Sequence, residues 1–325
     1  ELLYEGSQTM QLNGYHHVTA VTSNAKGNVD FYTQVLGMRL VKKTVNQDDV
    51  SAYHLYYGDE LGRAGTAITF FDWAMIGPQQ QGTGAIDLMT MRVPSAASIA
   101  YWADRLASHG VDADPVATWH GRASIAFRDP EGQRLMMISD EGTLGGIPWA
   151  KSPVPAAHGI KGIFGAGVTV RNREPLDTVL RIVYGLTLVD EQIDSINPKR
   201  SHLLYAVGDL VGGALSVQVA PDLPPSRLGS GGVHHIAFRV PDDDAATYWI
   251  NRLSRSGLQP THIIDRFYFH SVYTRVPGNI LIELATDGPG FATDEPAETL
   301  GESLALPPFL EPRRATIEAG LRPIE

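Results

Sequence analysis

Internal repetition is the feature that most constrains this chain. Val35-Leu36-Gly37-Met38-Arg39-Leu40-Val41 matches Val183-Tyr184-Gly185-Leu186-Thr187-Leu188-Val189. Tyr101-Trp102-Ala103-Asp104-Arg105-Leu106 matches Tyr248-Trp249-Ile250-Asn251-Arg252-Leu253. Both matches are offset by about 147 residues, and a fainter rhythm of about 70 divides each half again. That period is too long for a solenoid, whose units run to roughly 50 residues, and it suits a duplicated α+β module.

Four units are therefore expected, each a strand, a helix and three further strands. They open near Gly14, Gly84, Gly162 and Gly232. In the first, Asn24 has the side chain of an N-cap, the helix runs to about Leu36, and Gly37 closes it. Strands follow around 40–45, 52–57 and 66–73. The N-terminal half is residues 1–150 and the second is 151–287, joined by the Pro-rich stretch from Ile147 to Ala156; a Pro/Gly-rich tail, 288–325, carries one short helix near 313–319. The fold class is α+β: four βαβββ modules forming two barrel-like halves.

The net charge of −10 disfavours nucleic acid and anionic membranes as partners, because phosphate binding is driven by Lys and Arg. No apolar run is long enough to suggest a membrane-spanning helix. The opening Glu1-Leu2-Leu3-Tyr4-Glu5 lacks the basic stretch of a secretory leader, so a cytoplasmic enzyme is expected. With no cysteine, any metal site must use His, Asp and Glu.

Two histidine doublets, His16-His17 and His234-His235, stand at the same position of units one and four, the second histidine of each three residues after a glycine. A single strand histidine is unremarkable, but the coincidence of two doublets points to a site. In Ile280-Leu281-Ile282-Glu283-Leu284-Ala285, Glu283 interrupts an apolar strand, where a charge is costly unless it is paired or binds a metal. His17, His235 and Glu283 would make the two-imidazole, one-carboxylate set that suits non-haem Fe(II) or Mn(II). A buried ion pair with an arginine is the competing account of Glu283.

Counting from the turn glycines puts Phe70, Met137 and Gln218 in the slot of Glu283, and Asp87 and Gly165 in the slots of the histidines. Units two and three then lack ligands, Phe70 blocks a fourth, and the chain has one metal site. His17 and His235 lie 218 residues apart, so modules one and four must face each other and share the metal site. Thr19 falls on the face of His17, as a substrate or ligand contact or as an ordinary strand threonine. Tyr273 shares a face with Ser271, and Arg266 is a candidate anion partner. His16 and His234 should point away from a regular strand unless a bulge turns them in or they support the ligands from behind. His54 is read as a decoy, and His109, His120, His158, His202 and His262 as surface residues.

These doublets, the glutamate in the last strand and the fourfold pattern resemble the vicinal oxygen chelate superfamily, which includes glyoxalase I and the extradiol dioxygenases. Tyr53-His54-Leu55-Tyr56-Tyr57-Gly58-Asp59-Glu60-Leu61-Gly62 and Asp265-Arg266-Phe267-Tyr268-Phe269-His270-Ser271-Val272-Tyr273 resemble its hydroquinone-type ring-cleaving dioxygenases. So do Thr286-Asp287-Gly288-Pro289-Gly290-Phe291 and Leu306-Pro307-Pro308-Phe309-Leu310-Glu311-Pro312. The resemblance implies Fe(II), with Mn(II) or Zn(II) as substitutes, at His17, His235 and Glu283. It also implies supporting roles for His16, Thr19, His234, Arg266 and Tyr273. The expected reaction is oxidative cleavage of a hydroquinone or catechol-like ring with O2, His234 and Tyr273 moving protons and Arg266 holding the phenolate or orienting Tyr273. The rival readings are a glyoxalase-type isomerase or thiol transferase, and a metal-free binding or resistance protein. A homo-oligomer is left open.

Overall fold

The computed structural model describes residues 10–324; the acidic opening Glu1 to Glu5 lies outside them. Module one comprises β1 (Tyr15–Thr22), α1 (Ala25–Asp30), β2 (Arg39–Val45), β3 (Tyr53–Gly58) and β4 (Ala67–Asp72). Module two comprises β5 (Ala85–Val93), α2 (Ala96–Ser108), β6 (Ala117–Trp119), β7 (Arg122–Arg128) and β8 (Arg134–Ser139). Module three comprises β9 (Gly162–Val170), α3 (Glu174–Thr178), β10 (Thr187–Ile193), β11 (Ser201–Ala206) and β12 (Ala214–Val219). Module four comprises β13 (Gly232–Val240), α4 (Asp243–Arg255), β14 (Ile264–Asp265), β15 (Phe269–Val276) and β16 (Ile280–Pro289). The tail ends in α5 (Arg314–Gly320). No helix among the described residues is long and apolar enough to cross a membrane.

Local chemistry explains the repeated motifs. The Asn24 side chain accepts a hydrogen bond from the Gly27 amide, and α1 continues as a π-helical turn, Phe31–Val35, before Gly37 takes a positive φ of 68°. α3 continues in the same way through Val179–Val183. These turns leave carbonyls without intrahelical partners. The arginine of each Tyr-Trp-x-x-Arg motif supplies the donors. Arg105 donates from Nε to the Val35 carbonyl at 2.8 Å, and Arg252 does the same to Val183 at 2.6 Å. The tryptophans one turn earlier, Trp102 and Trp249, are buried in the core. The repeat thus preserves a helix-to-helix clamp.

The modules pair out of chain order. In the 16-stranded sheet, β1 lies antiparallel to β13, and β5 antiparallel to β9. Modules one and four therefore make one curved half and modules two and three the other, joined through the bridge Val233↔Ile86 between β13 and β5. The tail is more than an appendage. Leu306, Leu310 and Ile317 pack with Val45 at the end of β2, and Leu304 bridges to Lys43. The Lys42 ammonium is fully buried and is neutralised by Asp294 at 2.7 Å and by Glu295. A buried lysine without such partners would be costly, so the tail is tied to module one by charge as well as by apolar contact.

Candidate metal centre

The antiparallel β1–β13 pair carries one histidine doublet on each strand, and a bulge in each sets where the rings go. The ladder runs Tyr15↔Phe238 and then His17↔Ala237, so His16 is the extra residue of β1. It runs Thr19↔His235 and then Ala20↔Val233, so His234 is the extra residue of β13. An extra residue in a strand re-aims its neighbours. Both doublets consequently send two consecutive rings to one region, which regular alternation would forbid. His16 Nδ1 lies 2.9 Å from His17 Nδ1, and His234 Nδ1 lies 2.8 Å from His235 Nδ1. Of the two alternatives expected for the flanking histidines, the bulge is present in each strand, and each flanking ring lies within hydrogen-bond distance of its inner neighbour.

His17, His235 and Glu283 converge, all buried, with candidate ligand atoms within 4.8 Å of one another. Glu283 Oε2 lies 2.8 Å from His235 Nε2 and 3.3 Å from His17 Nε2, and the two Nε2 atoms are 3.3 Å apart. Ser271 donates to Glu283 Oε1 at 2.6 Å, whereas Oε2 has no partner of hydrogen-bonding geometry. A fully buried carboxylate oxygen without a hydrogen bond is expensive. The arrangement fits a divalent cation: two imidazole nitrogens and one carboxylate oxygen face a single point, their other atoms already engaged. Among the described residues no arginine pairs with Glu283, which removes the arginine ion-pair account.

Burial and charge set the protonation states. Burial, and then the neighbouring His17, lowers the His16 pKa to about 3; burial, and then His235, lowers that of His234 to about 3. Both are neutral near pH 7. Each can therefore accept from the Nδ1–H of its neighbour, leaving the Nε2 lone pairs of His17 and His235 for a metal. Burial pushes the Glu283 carboxyl up, but His17 and His235 outweigh it and hold it well below its ordinary value.

The fourth slot needs a correction. β1 and β4 are parallel with Thr19↔Thr69, and β13 and β16 are parallel with Ala237↔Glu283. Since His17 and His235 are equivalent, Thr19 corresponds to Ala237 and Thr69 to Glu283. Thr69, not Phe70, occupies the fourth slot. Phe70 points the other way, into the core beside Tyr32 with ring centroids 4.7 Å apart. Thr69 donates to Thr19 Oγ1 at 2.8 Å.

A small cavity of about 40 Å³ opens onto the inner histidines, walled by Gln47, Asp48, His54, Tyr56, Phe71, Arg266, Phe269 and Tyr273, among others. His54 lines this cavity but is not among the residues that could share a metal ion. Its Nε2 lies 2.9 Å from Thr69 Oγ1, and its Nδ1 lies 2.9 Å from the Tyr56 hydroxyl. Tyr273 packs edge-on to His235 with centroids 5.7 Å apart. Burial first, and then the Glu283 charge, raises its pKa well above the ordinary tyrosine value, so its hydroxyl remains protonated. His234 lies against Phe71 and Trp73, away from the cavity wall, which suits support of His235 better than proton delivery. His109, His120, His202 and His262 are exposed as expected; His158 is half-buried and stacks on Tyr101.

Arg266 lines the cavity. It holds Asp48 through two hydrogen bonds of 3.0 and 2.9 Å, and its guanidinium lies 5.6 Å from the Tyr273 ring centroid. Gln47 also donates to the Arg266 carbonyl at 2.8 Å. The cavity is far below the roughly 300 Å³ at which ligand pockets begin, and the Asp48–Arg266 strap is part of its wall. The Asp48 carboxylate is largely exposed, and exposed pairs contribute little. Asp48→Asn is expected to change unfolding free energy by less than about 1 kcal/mol, measured by urea denaturation. A larger loss would make the strap a fixed structural element.

Comparison with known proteins follows the same lines. Residues 14–137 match the Glyoxalase/Bleomycin resistance protein/Dioxygenase superfamily. MhqA of Bacillus subtilis, named as a candidate ring-cleaving dioxygenase, is 41% identical over 319 residues, covering 97% of this chain and 100% of its own. The chlorohydroquinone/hydroquinone 1,2-dioxygenase of Sphingobium indicum is 33% identical over 312 residues, 93% of each chain. A crystal structure of a candidate dioxygenase from Bacillus subtilis superposes with a TM-score of 0.90 at 36% identity, covering 98% of this chain and 99% of that one. Glyoxalase I from Zea mays, at 14% identity and a TM-score of 0.62 over 84% of this chain and 92% of its own, shares the fold. The paired bulges, the His17/His235/Glu283 cluster and this similarity along nearly the whole chain agree: the protein belongs to the glyoxalase/bleomycin resistance protein/dioxygenase superfamily, among its ring-cleaving dioxygenases.

Proposed function

We propose that this ring-cleaving dioxygenase uses Fe(II) held by His17, His235 and Glu283, and that it prefers a para-hydroquinone to a catechol. The observation that carries the reading is the buried, hydrogen-bond-free Glu283 Oε2 facing two imidazole Nε2 atoms. Mn(II) would suit the same donors, and Zn(II) could replace either without supporting the reaction. Bound there, a redox-active divalent ion supplies Lewis acidity and a route for electrons from an electron-rich phenolate to dioxygen.

The chain's own residues do the rest. His16 and His234 fix the inner imidazoles by accepting their Nδ1 protons, and Ser271 fixes the carboxylate. Thr19 is engaged by Thr69 beneath His17. Tyr273, protonated and beside His235, donates a hydrogen bond or a proton to an oxygen of the reacting pair. Arg266, once released from Asp48, faces the anionic substrate oxygen and steadies Tyr273. A carbon–carbon bond next to the ring hydroxyl breaks, and both atoms of O2 enter the product. A small aromatic and O2 are the partners, with the cytoplasm as the setting.

The glyoxalase-type alternative loses support at the fourth slot. Such sites commonly use four protein ligands, and Thr69 offers a neutral hydroxyl already committed to Thr19 and His54. The metal-free alternative leaves the buried Glu283 oxygen unexplained. Oxygen uptake by anaerobically iron-loaded protein, with methylhydroquinone and 3-methylcatechol compared under identical loading, tests the reading. The hydroquinone is expected to give the higher kcat/KM and a product heavier by two oxygen atoms. Cleavage of the catechol alone would refute the preference, and no uptake with either would return the case to the isomerase.

A further inference from the structure

Four side chains that come together only in the folded sheet form one directed hydrogen-bond chain beside the candidate metal ligands. Tyr56 and His54 share β3, Thr69 lies opposite Tyr56 on β4, and Thr19 lies opposite Thr69 on β1. The contacts are Tyr56 Oη to His54 Nδ1 at 2.9 Å, His54 Nε2 to Thr69 Oγ1 at 2.9 Å, and Thr69 Oγ1 to Thr19 Oγ1 at 2.8 Å. All but His54 are fully or nearly buried, and the His54 ring is covered by Tyr56 on one side and Phe71 on the other, with centroids at 4.0 and 4.4 Å.

The direction of this chain follows from counting protons. Thr69 donates its hydroxyl proton to Thr19, so toward His54 it can only accept. His54 Nε2 must then carry the proton. A neutral imidazole carries one, which leaves His54 Nδ1 as an acceptor, and the Tyr56 hydroxyl must donate to it. The Tyr56 oxygen, its proton spent, faces the cavity as an acceptor. Burial, followed by the proximity of His17 and His235, keeps His54 in the neutral form this requires.

We propose that Tyr56, turned by His54 into a fixed acceptor, recognises the second hydroxyl of a ring whose first oxygen lies at the His17/His235/Glu283 centre. Its ligand class is accordingly a phenol bearing another hydroxyl away from the first, as in a 1,4-diol. His54 acts through Tyr56 and is a positioning residue. This assignment rests on the ring-cleaving reading above, and it identifies the group that makes a hydroquinone preferable. The opposite polarity, with Tyr56 donating into the cavity, would favour a distal ether or carbonyl instead.

The test is anaerobic equilibrium binding of methylhydroquinone and of 4-methoxyphenol, whose distal oxygen cannot donate, to metal-loaded protein. One neutral hydrogen bond corresponds to a preference of about tenfold for the hydroquinone. Tyr56→Phe should abolish that preference with metal content unchanged. His54→Leu should abolish or invert it, while His54→Asn, whose amide oxygen can stand near Nδ1, should restore it. A merely structural role would weaken both ligands alike and would not respond to Asn. Equal binding of both ligands to the wild type, or an undiminished preference in Tyr56→Phe, overturns the assignment but leaves ring cleavage standing. Failure of the wild type to bind either ring, with metal in place, overturns both.

Discussion

Glu283→Gln is expected to empty the metal centre. The substitution keeps the shape of the side chain and leaves an oxygen or an NH2 group where Oε2 stood, but it removes the only negative charge among the three donors. Altering groups that merely support metal ligands commonly costs 10–100-fold in affinity; loss of the sole anionic ligand should cost more than about 100-fold. Metal analysis of protein purified without chelator should therefore fall from one ion per chain toward none, with turnover lost in parallel. The metal-free protein should lose stability as well, because His17 and His235 favour the ionised carboxylate there and Ser271 donates to it. Thermal melts with and without added Fe(II) separate these effects, because a ligand that binds only the folded state stabilises it. Full metal occupancy in the variant, or two ions per wild-type chain, would defeat the assignment.

Much of this site is legible in the sequence because repetition turns one chain into four readings of the same module. Two His-His doublets at matching positions, with a glutamate in one of four equivalent strands, identify the cluster and require modules one and four to meet. What escapes is whatever depends on a single residue of register. Counting from the turn glycines selects Phe70 for the fourth slot, but the approach to β4 is one residue shorter than the approach to β16. Alternation along a strand then exchanges faces: Thr69 turns to the site and Phe70 to the core. The bulges at His16 and His234 are invisible for a related reason, since an extra residue shows only against its partner strand. His54 carries no spacing signal because its partners, Thr69 and Tyr56, are defined by the pairing of β3 with β4. The doublet Tyr56-Tyr57, with His54 two residues before it on the same strand face, is the one hint the sequence offers. The Asp48–Arg266 strap joins a loop of module one to a loop of module four across 218 residues, beyond the reach of any local pattern.

Removing the Tyr273 hydroxyl should separate chemistry from metal binding. Tyr273 lies opposite Glu283 in the β15–β16 ladder, and its ring meets His235 edge-on. It lines the cavity but is not among the three residues able to share an ion. Its hydroxyl is held protonated by burial and by the nearby carboxylate, so around neutral pH it works as a donor and not as a base. Cleavage needs such a donor, because negative charge gathers on oxygen as the O–O bond breaks. A positioned general acid contributes about 10²–10⁴-fold, which corresponds to roughly 3–5 kcal/mol of barrier. Tyr273→Phe should therefore lower kcat by that factor, with metal content unchanged and KM moving far less. Arg266 sharpens the comparison. Its guanidinium lies over the Tyr273 ring and is bound to Asp48; Arg266→Lys keeps the charge but loses the paired donors. If Arg266 binds the substrate oxygen, the lysine variant should raise KM more than it lowers kcat, the reverse of Tyr273→Phe. If it serves only to orient Tyr273, the two variants should share one kinetic signature, and the double variant should be no slower than Tyr273→Phe alone. Wild-type kcat in Tyr273→Phe would end the proton-donor role.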